Sequence, residues 1–255
     1  MLELRGVAKS FGGLMAVYGL DLHVRNGEIV GLIGPNGAGK TTVFNLITGF
    51  LKPSRGKILF HDEDITGKSP HVLARKGIVR TFQGNLCFPE FTVLENLLVA
   101  SNLTAPYLMA SIFRVPSSRK KEKSIKERAF DLLEFVGLSN MAHLPARSLS
   151  HGHKRVLGIA MALASRPKVL LLDEPLSGMN AREVSETVEL LRKIWERGIT
   201  ILLIEHNMRA TMGLCERVVV LNFGKKIAEG APEEIRENPE VMKAYLGERR
   251  DVPRD

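Results

Sequence analysis

The chain has 255 residues, 44% of them hydrophobic, enough to bury a full core as one large domain or two small ones, so a folded globular protein is expected. Its 36 Lys and Arg against 28 Asp and Glu leave a net charge of +8, which points to an anionic partner: a nucleotide, a nucleic acid or an anionic membrane face. Cys87 and Cys215 are too few for a disulfide framework or a Cys-based zinc site, and two buried thiols in a reducing compartment are expected.

The opening "MLELRGVAKSF" lacks the apolar core of a secretory signal, so export is not expected. Residues 2–60 break short β-branched and apolar segments with glycines, a pattern that predicts strand, strand, strand, glycine loop, helix and strand, the helix running from Lys40 to about Gly49. A proline-bearing basic connector follows at 106–123. Beyond it Ile125, Ala129, Leu132, Leu133 and Val136 recur at helical spacing, so residues 97–166 read as a helical subdomain. From Lys168 onward "KVLLLDE", a helix from about Ala181 to Arg197, "ITILLIE", another helix and "RVVVLN" alternate, as in a parallel sheet covered on both faces. These apolar runs fall well short of the roughly 18 to 20 residues that span a bilayer, and the chain is not expected to cross a membrane by itself. Residues 232–248 predict two short helices, with a frayed end beyond them.

The strongest local signal is "GPNGAGKTT", comprising Gly34, Pro35, Asn36, Gly37, Ala38, Gly39, Lys40, Thr41 and Thr42. The strand "EIVGLI" enters it and a helix leaves it, so backbone N–H groups and a helix N-terminus converge on one concave spot suited to phosphate. Glycines let the backbone close around phosphate oxygens, Lys40 supplies a point charge to the β- and γ-phosphates, and the Thr41 hydroxyl suits Mg²⁺. An acidic residue at the end of an apolar strand should complete such a site. "VLLLDE" provides Asp173 for Mg²⁺ and Glu174 to polarise an attacking water. A flexible turn and a pair of solvated carboxylates are the plain alternatives. Their joint occurrence in the right context favours a nucleotide site.

Together these motifs resemble the ATP-binding cassette (ABC) ATPase family over essentially the whole chain. The resemblance implies an α/β fold, with a P-loop, RecA-like parallel-sheet core, an N-terminal antiparallel β subdomain and a helical subdomain. It divides a single ATP-binding domain into a core at 1–84 and 166–232, a helical part at 85–165 and a tail at 233–255. Phe11 in "KSFGG" lies where the family stacks an aromatic on adenine, Gln83 in "VRTFQ" matches its glutamine loop, and His206 in "LLIEHNM" its switch histidine. By the same resemblance Gln83 joins the Mg²⁺ or water shell and His206 contacts the γ-phosphate. "LSHGHKR" falls at the family signature, which assigns Ser150 and the Gly152 N–H to the γ-phosphate of ATP bound by a facing subunit. Ser150 also reads as the N-cap of the helix "HGHKRVLGIAMALA", whose N-terminus favours an anion. His151, His153 and Asn180 depart from the usual glycine or aromatic, glutamine and aspartate. Two histidines without a Cys or carboxylate cluster are a poor zinc site.

The segments "LITGFLKPSRGKILF", "GIVRTFQ", "FTVLENLLVA" and "AEGAPEEIRENPEVMKAYLGE" are most similar to ATP-binding subunits of branched-chain amino-acid importers. That resemblance implies ATP and Mg²⁺ as ligands and a second cassette, identical or paralogous, as partner. It also implies separate transmembrane permease subunits docking around Gln83 to Asn96, an extracytoplasmic solute-binding protein, and a place on the cytoplasmic face of the inner membrane; nucleic acid is not expected. The rival readings are the ATPase of lipopolysaccharide export, another solute importer, a soluble cassette acting on nucleic acid or ribosomes, a scaffold for cofactor assembly, and a cassette that binds ATP and barely turns over.

Overall fold

The computed structural model describes residues 1–81, 87–102 and 117–247. Gln83 lies outside the described residues, as does most of the basic connector. Strands β1 (Leu2–Phe11) and β2 (Leu14–Val24) form a hairpin, and β3 (Ile29–Ile33) runs through the glycine loop into α1 (Lys40–Ile47). Next come β4 (Arg55–Phe60), β5 (Glu63–Asp64), α2 (Pro70–Lys76) and β6 (Ile78–Arg80). The helices α3 (Val93–Asn102), α4 (Ser117–Phe135) and α5 (His151–Ala164) follow. The remainder alternates: β7 (Val169–Asp173), α6 (Ala181–Glu196), β8 (Thr200–Ile204), α7 (Met208–Leu214), β9 (Arg217–Asn222), β10 (Lys225–Gly230), α8 (Pro232–Glu237) and α9 (Pro239–Gly247).

Two sheets organise these elements. One is antiparallel, ordered β2-β1-β4-β5, and the other is ordered β10-β9-β3-β8-β7-β6. The strands from β9 to β6 are all parallel, and only the edge strand β10 runs antiparallel to its neighbour. The α/β class and the antiparallel N-terminal sheet expected from the sequence are both present. Strand β10 was not anticipated, because "KKIAEG" carries no apolar run and is half-exposed. It is recruited by pairing with β9 rather than by a pattern of its own.

The parallel strands are buried on both faces, and their period of two sorts them between two cores. Ile33, Leu170, Leu172, Ile201, Leu203, Val218 and Val220 pack towards the helices, with Leu97 of α3, Ala129 and Leu133 of α4, and Leu157 of α5. Val30, Leu32, Leu171, Leu202, Ile204 and Val219 turn the other way, towards α1 and the antiparallel sheet, where Phe44 and Leu4 are buried. Burying an aliphatic or aromatic side chain of this size is worth about 1.5–3 kcal/mol, so these apolar alternations set the register of the sheet. Ala129 and Leu133 of α4, and Val136 just after it, are buried, as their spacing predicts.

Polar ties fix the margins. Arg217 at the start of β9 holds both oxygens of Glu28 (Nε to Oε1 2.8 Å, Nη2 to Oε2 2.9 Å) and also pairs with Glu229 of β10. Burial pushes the Glu28 carboxyl up, but the Arg217 guanidinium and the Arg25 N–H outweigh it and hold it below the ordinary range. The indole of Trp195 in α6 donates to the Gly27 carbonyl at 2.6 Å, tying that helix to the turn before β3. Cys215 is buried and its thiol is pushed up to about 12 by desolvation, which makes it an inert core residue.

Candidate nucleotide site

The glycine loop leaves β3 at the C-terminal edge of the parallel sheet and turns tightly into α1. Gly34, Gly37 and Gly39 take φ of +148°, +76° and +101°. At two of them space also demands glycine. A Cβ on Gly34 would meet the Leu221 carbonyl at 2.0 Å, and one on Gly39 would meet the Ala16 carbonyl at 2.6 Å. The loop is therefore braced from behind by β9 and β2, and the Gly224 N–H donates to the Ala38 carbonyl at 3.0 Å. Helix α1 starts at Gly39 without a side-chain cap and without an acidic residue in its first turn. Its first N–H groups, which no helix satisfies internally, are left for an external anion. The Lys40 ammonium lies across the loop, donating to the carbonyls of Gly34 (2.6 Å) and Pro35 (2.8 Å). Thr41 is exposed on the first turn and Thr42 half-buried.

Asp173 ends β7, 2% exposed, with its backbone in register with Ile204 of β8. Its Oδ2 accepts from Arg80 Nη2 at 2.6 Å, and Arg80 Nη1 reaches Asn45 Oδ1 at 2.5 Å. Its Oδ1 is buried and has no hydrogen-bond partner among the described residues, an open acceptor of the kind a hard cation takes. Sequence reasoning missed Arg80, although "IVRTFQ" had been singled out.

Glu174 follows with φ of +49°, a left-handed conformation that costs a non-glycine residue about 1–3 kcal/mol unless its surroundings hold it. The Glu174 N–H donates to the Ile204 carbonyl at 2.9 Å, and its Oε1 lies 3.0 Å from His206 Nε2. The two residues named from sequence are thus brought together at the ends of adjacent strands. Between them, Glu205 is buried and accepts from the N–H groups of Leu176 (2.7 Å), His206 (3.0 Å) and Asn207 (3.3 Å). Its carboxyl is raised by burial, against those hydrogen bonds. Its place beside His206 in "LLIEHNM" was the only signal in the sequence.

Ser150 caps α5, its Oγ accepting from the His153 N–H at 3.1 Å. The same Oγ lies 3.2 Å from Glu183 Oε1 and 3.1 Å from His153 Nδ1. A hydroxyl has one proton and the carboxylate can only accept, so the contact with His153 uses a proton on Nδ1. Glu183 Oε2 also accepts the Asn180 N–H at 3.0 Å, and Asn180 Oδ1 accepts from Arg182 and Glu183, a capping box that starts α6. The amide of Asn180 therefore serves its own helix. Gly152 is buried, and a Cβ there would meet Glu183 Oε1 at 2.6 Å; the ring of His151 packs over Gly178 in the turn after Glu174. Phe11 ends β1, exposed and paired across the hairpin with Leu14, with Lys9 Nζ 5.1 Å from its ring centroid.

A glycine loop braced on a parallel sheet, an acidic strand end and a capped signature helix define an ATP-binding cassette. The chain belongs to the ABC transporter family: the "ABC transporter" model matches residues 17–177, and the model for "Branched-chain amino acid ATP-binding cassette transporter" matches residues 225–251. It is 46% identical over 251 residues to the high-affinity branched-chain amino acid transport ATP-binding protein BraF of Pseudomonas aeruginosa, covering 97% of this chain and 98% of that protein. It is 45% identical over 250 residues to the corresponding LivG of Escherichia coli K12, with the same coverage. Among solved structures, the ADP conformation of MJ1267, an ATP-binding cassette of an ABC transporter, matches with a TM-score of 0.86 at 35% identity, over 97% of this chain and 98% of that one. A dimeric post-hydrolysis state of the cassette MJ0796, bound to ADP and Pi, matches with a TM-score of 0.76 at 26% identity, over 91% of this chain and 99% of that one.

Proposed function

We propose that this chain hydrolyses ATP as the ATP-binding subunit of a branched-chain amino-acid importer, two cassettes closing on ATP and opening after its hydrolysis. The observation that carries the hydrolytic reading is the contact of Glu174 Oε1 with His206 Nε2 beside the open oxygen of Asp173. The transport reading rests on the 46% identity to a branched-chain amino acid transport protein over 97% of the chain.

The chain's own residues divide the work as follows. N–H groups of residues 36–42 and the α1 N-terminus hold the phosphates, which take the Lys40 ammonium from the carbonyls of Gly34 and Pro35. Phe11 stacks on the base. Glu174 orients a water and accepts its proton as the water oxygen bonds to the γ-phosphorus and the bond to the bridging oxygen breaks. His206 steadies the Glu174 carboxylate and presents its ring to the γ-phosphate; Gln83 completes the water shell. Ser150 and the Gly152 N–H receive the γ-phosphate of a facing cassette. Mg²⁺ would be held by Thr41 and by the open Oδ1 of Asp173, and would neutralise charge on the β- and γ-phosphates.

The permease docks on the helical side, next to the residues after Gln83. There Asn96, fully buried, donates to the carbonyls of Phe88 (3.0 Å) and Thr92 (2.9 Å) and accepts the Phe88 N–H at 2.7 Å. That holds out an exposed pair, Phe88 and Phe91, with ring centroids 5.3 Å apart. Exposed aromatics on a pinned loop suit an interface. Among the described residues no helix is long and apolar enough to cross a membrane, so the solute path is assigned to separate subunits. The deciding experiment is affinity capture of the full chain from detergent-solubilised membranes. Recovery of a polytopic permease with nucleotide-stimulated ATPase activity is expected, and capture of RNA or ribosomes without a membrane protein would overturn the reading.

A further inference from the structure

We propose that Glu205 is a positioning residue for ATP hydrolysis, its buried carboxylate clamping the loop that carries Glu174 to the loop that carries His206. The inference rests on the roles assigned above to those two residues and adds the element that sets their contact. Glu205 ends β8, 3% exposed, and among the described residues it forms no ion pair with a Lys, Arg or His side chain. A buried carboxylate without a cation is costly unless each oxygen finds donors. Here the donors come from two loops. Oε1 takes the Leu176 N–H, two residues beyond Glu174, at 2.7 Å. Oε2 takes the N–H groups of His206 at 3.0 Å and Asn207 at 3.3 Å. Asn207 in turn caps α7 through the Ala210 N–H, so the His206 loop is anchored on both sides.

The arrangement demands a group with two accepting ends. A glutamine would keep one acceptor, and its NH₂ would face backbone N–H donors on the other side, releasing one loop. Releasing either loop frees the strained φ of +49° at Glu174 or the direction of the His206 ring, whose Nε2 now lies 3.0 Å from Glu174 Oε1. Both changes act on the geometry of attack and leave the phosphate loop, on the far side of β8, untouched.

The test is steady-state ATPase kinetics of the full chain as Glu205→Gln and Glu205→Asp, with ATP affinity measured separately by equilibrium binding of a fluorescent ATP analogue. We expect kcat to fall about 10- to 100-fold, as for displacements on the order of 1 Å, with KM and ATP affinity unchanged. In a His206→Ala background the further loss from Glu205→Gln should shrink to the part that acts through the Glu174 loop. Unchanged kcat, or losses that multiply in full, would overturn the proposal. Should the variants not fold, amide hydrogen exchange in the unchanged protein decides: Leu176 and His206 should be protected, and rapid exchange at either refutes the clamp. If instead Glu174→Gln and His206→Ala hydrolyse ATP at the unchanged rate, the assigned roles fail rather than the clamp.

Discussion

Arg80 Nη2 lies 2.6 Å from Asp173 Oδ2, and both side chains are almost wholly buried. A buried pair of this kind gives little net stability over an apolar replacement, but removing one partner strands the other charge at a cost of about 3–5 kcal/mol. Arg80→Ala should therefore lower the unfolding free energy extrapolated from urea titrations by that amount, and Mg²⁺ with ATP should restore more of the loss than ATP alone. A melting profile that is insensitive to the substitution would show that Asp173 does not depend on this arginine.

Glu174→Gln removes the proton acceptor while keeping the shape and the backbone contact to Ile204. General base catalysis contributes about 10²–10⁴-fold, so hydrolysis should drop by that range while ATP-driven pairing persists and accumulates. Phosphate release and light scattering read the two effects separately. Hydrolysis at the unchanged rate would remove Glu174 from its role.

The Glu183 carboxylate sits 3.2 Å from Ser150 Oγ, where an incoming γ-phosphate would meet like charge. Glu183→Gln retains an acceptor for the Asn180 N–H and removes that charge. The ATP concentration for half-maximal pairing should fall severalfold in a Glu174→Gln background, as read by light scattering across an ATP titration.

Glycine loop geometry gives a sharper steric prediction. At Gly34 a Cβ would lie 2.0 Å from the Leu221 carbonyl, so Gly34→Ala must push β9 away or distort the loop. ATP binding should be lost by more than tenfold, with the Trp195 environment and helix content unchanged if the damage stays local. Gly37→Ala meets nothing within 4 Å and suffers only from its φ of +76°, so its loss should be smaller.

The pH dependence of folding follows from Glu28. Its carboxyl is lowered in the fold, so its contribution is present above the unfolded value and is lost as pH falls through the folded one. The stability of the unchanged protein should therefore fall as pH drops below about 4.5, and Glu28→Gln should flatten the stability profile in that acidic window. Urea unfolding at a series of pH values measures both slopes.

How much of this was legible beforehand depends on sequence separation. The glycine loop, the "LLLDE" strand end and the Ser150 cap are contiguous, and local chemistry announces them. Arg80 and Asp173 are 93 residues apart, Leu176 and Glu205 are 29, and Ser150 and Glu183 are 33. The first two pairs exist because parallel strands place their C-terminal ends side by side, and the third because the starts of α5 and α6 meet, consequences of tertiary registration that periodicity does not encode. Strand β10 was missed for the opposite reason: its polar residues form a strand only because β9 offers an edge. The departures at His151, His153 and Asn180 turned out to have local partners, the Gly178 backbone, the Ser150 hydroxyl and the start of α6.

The indole bond to Gly27 supplies a built-in reporter. The chain has a single tryptophan, and its ring nitrogen is anchored 168 residues back along the sequence, at the turn that launches the central strand. Its emission colour should shift when α6 peels away from that turn, so the integrity of the sheet can be followed in real time without attaching a dye.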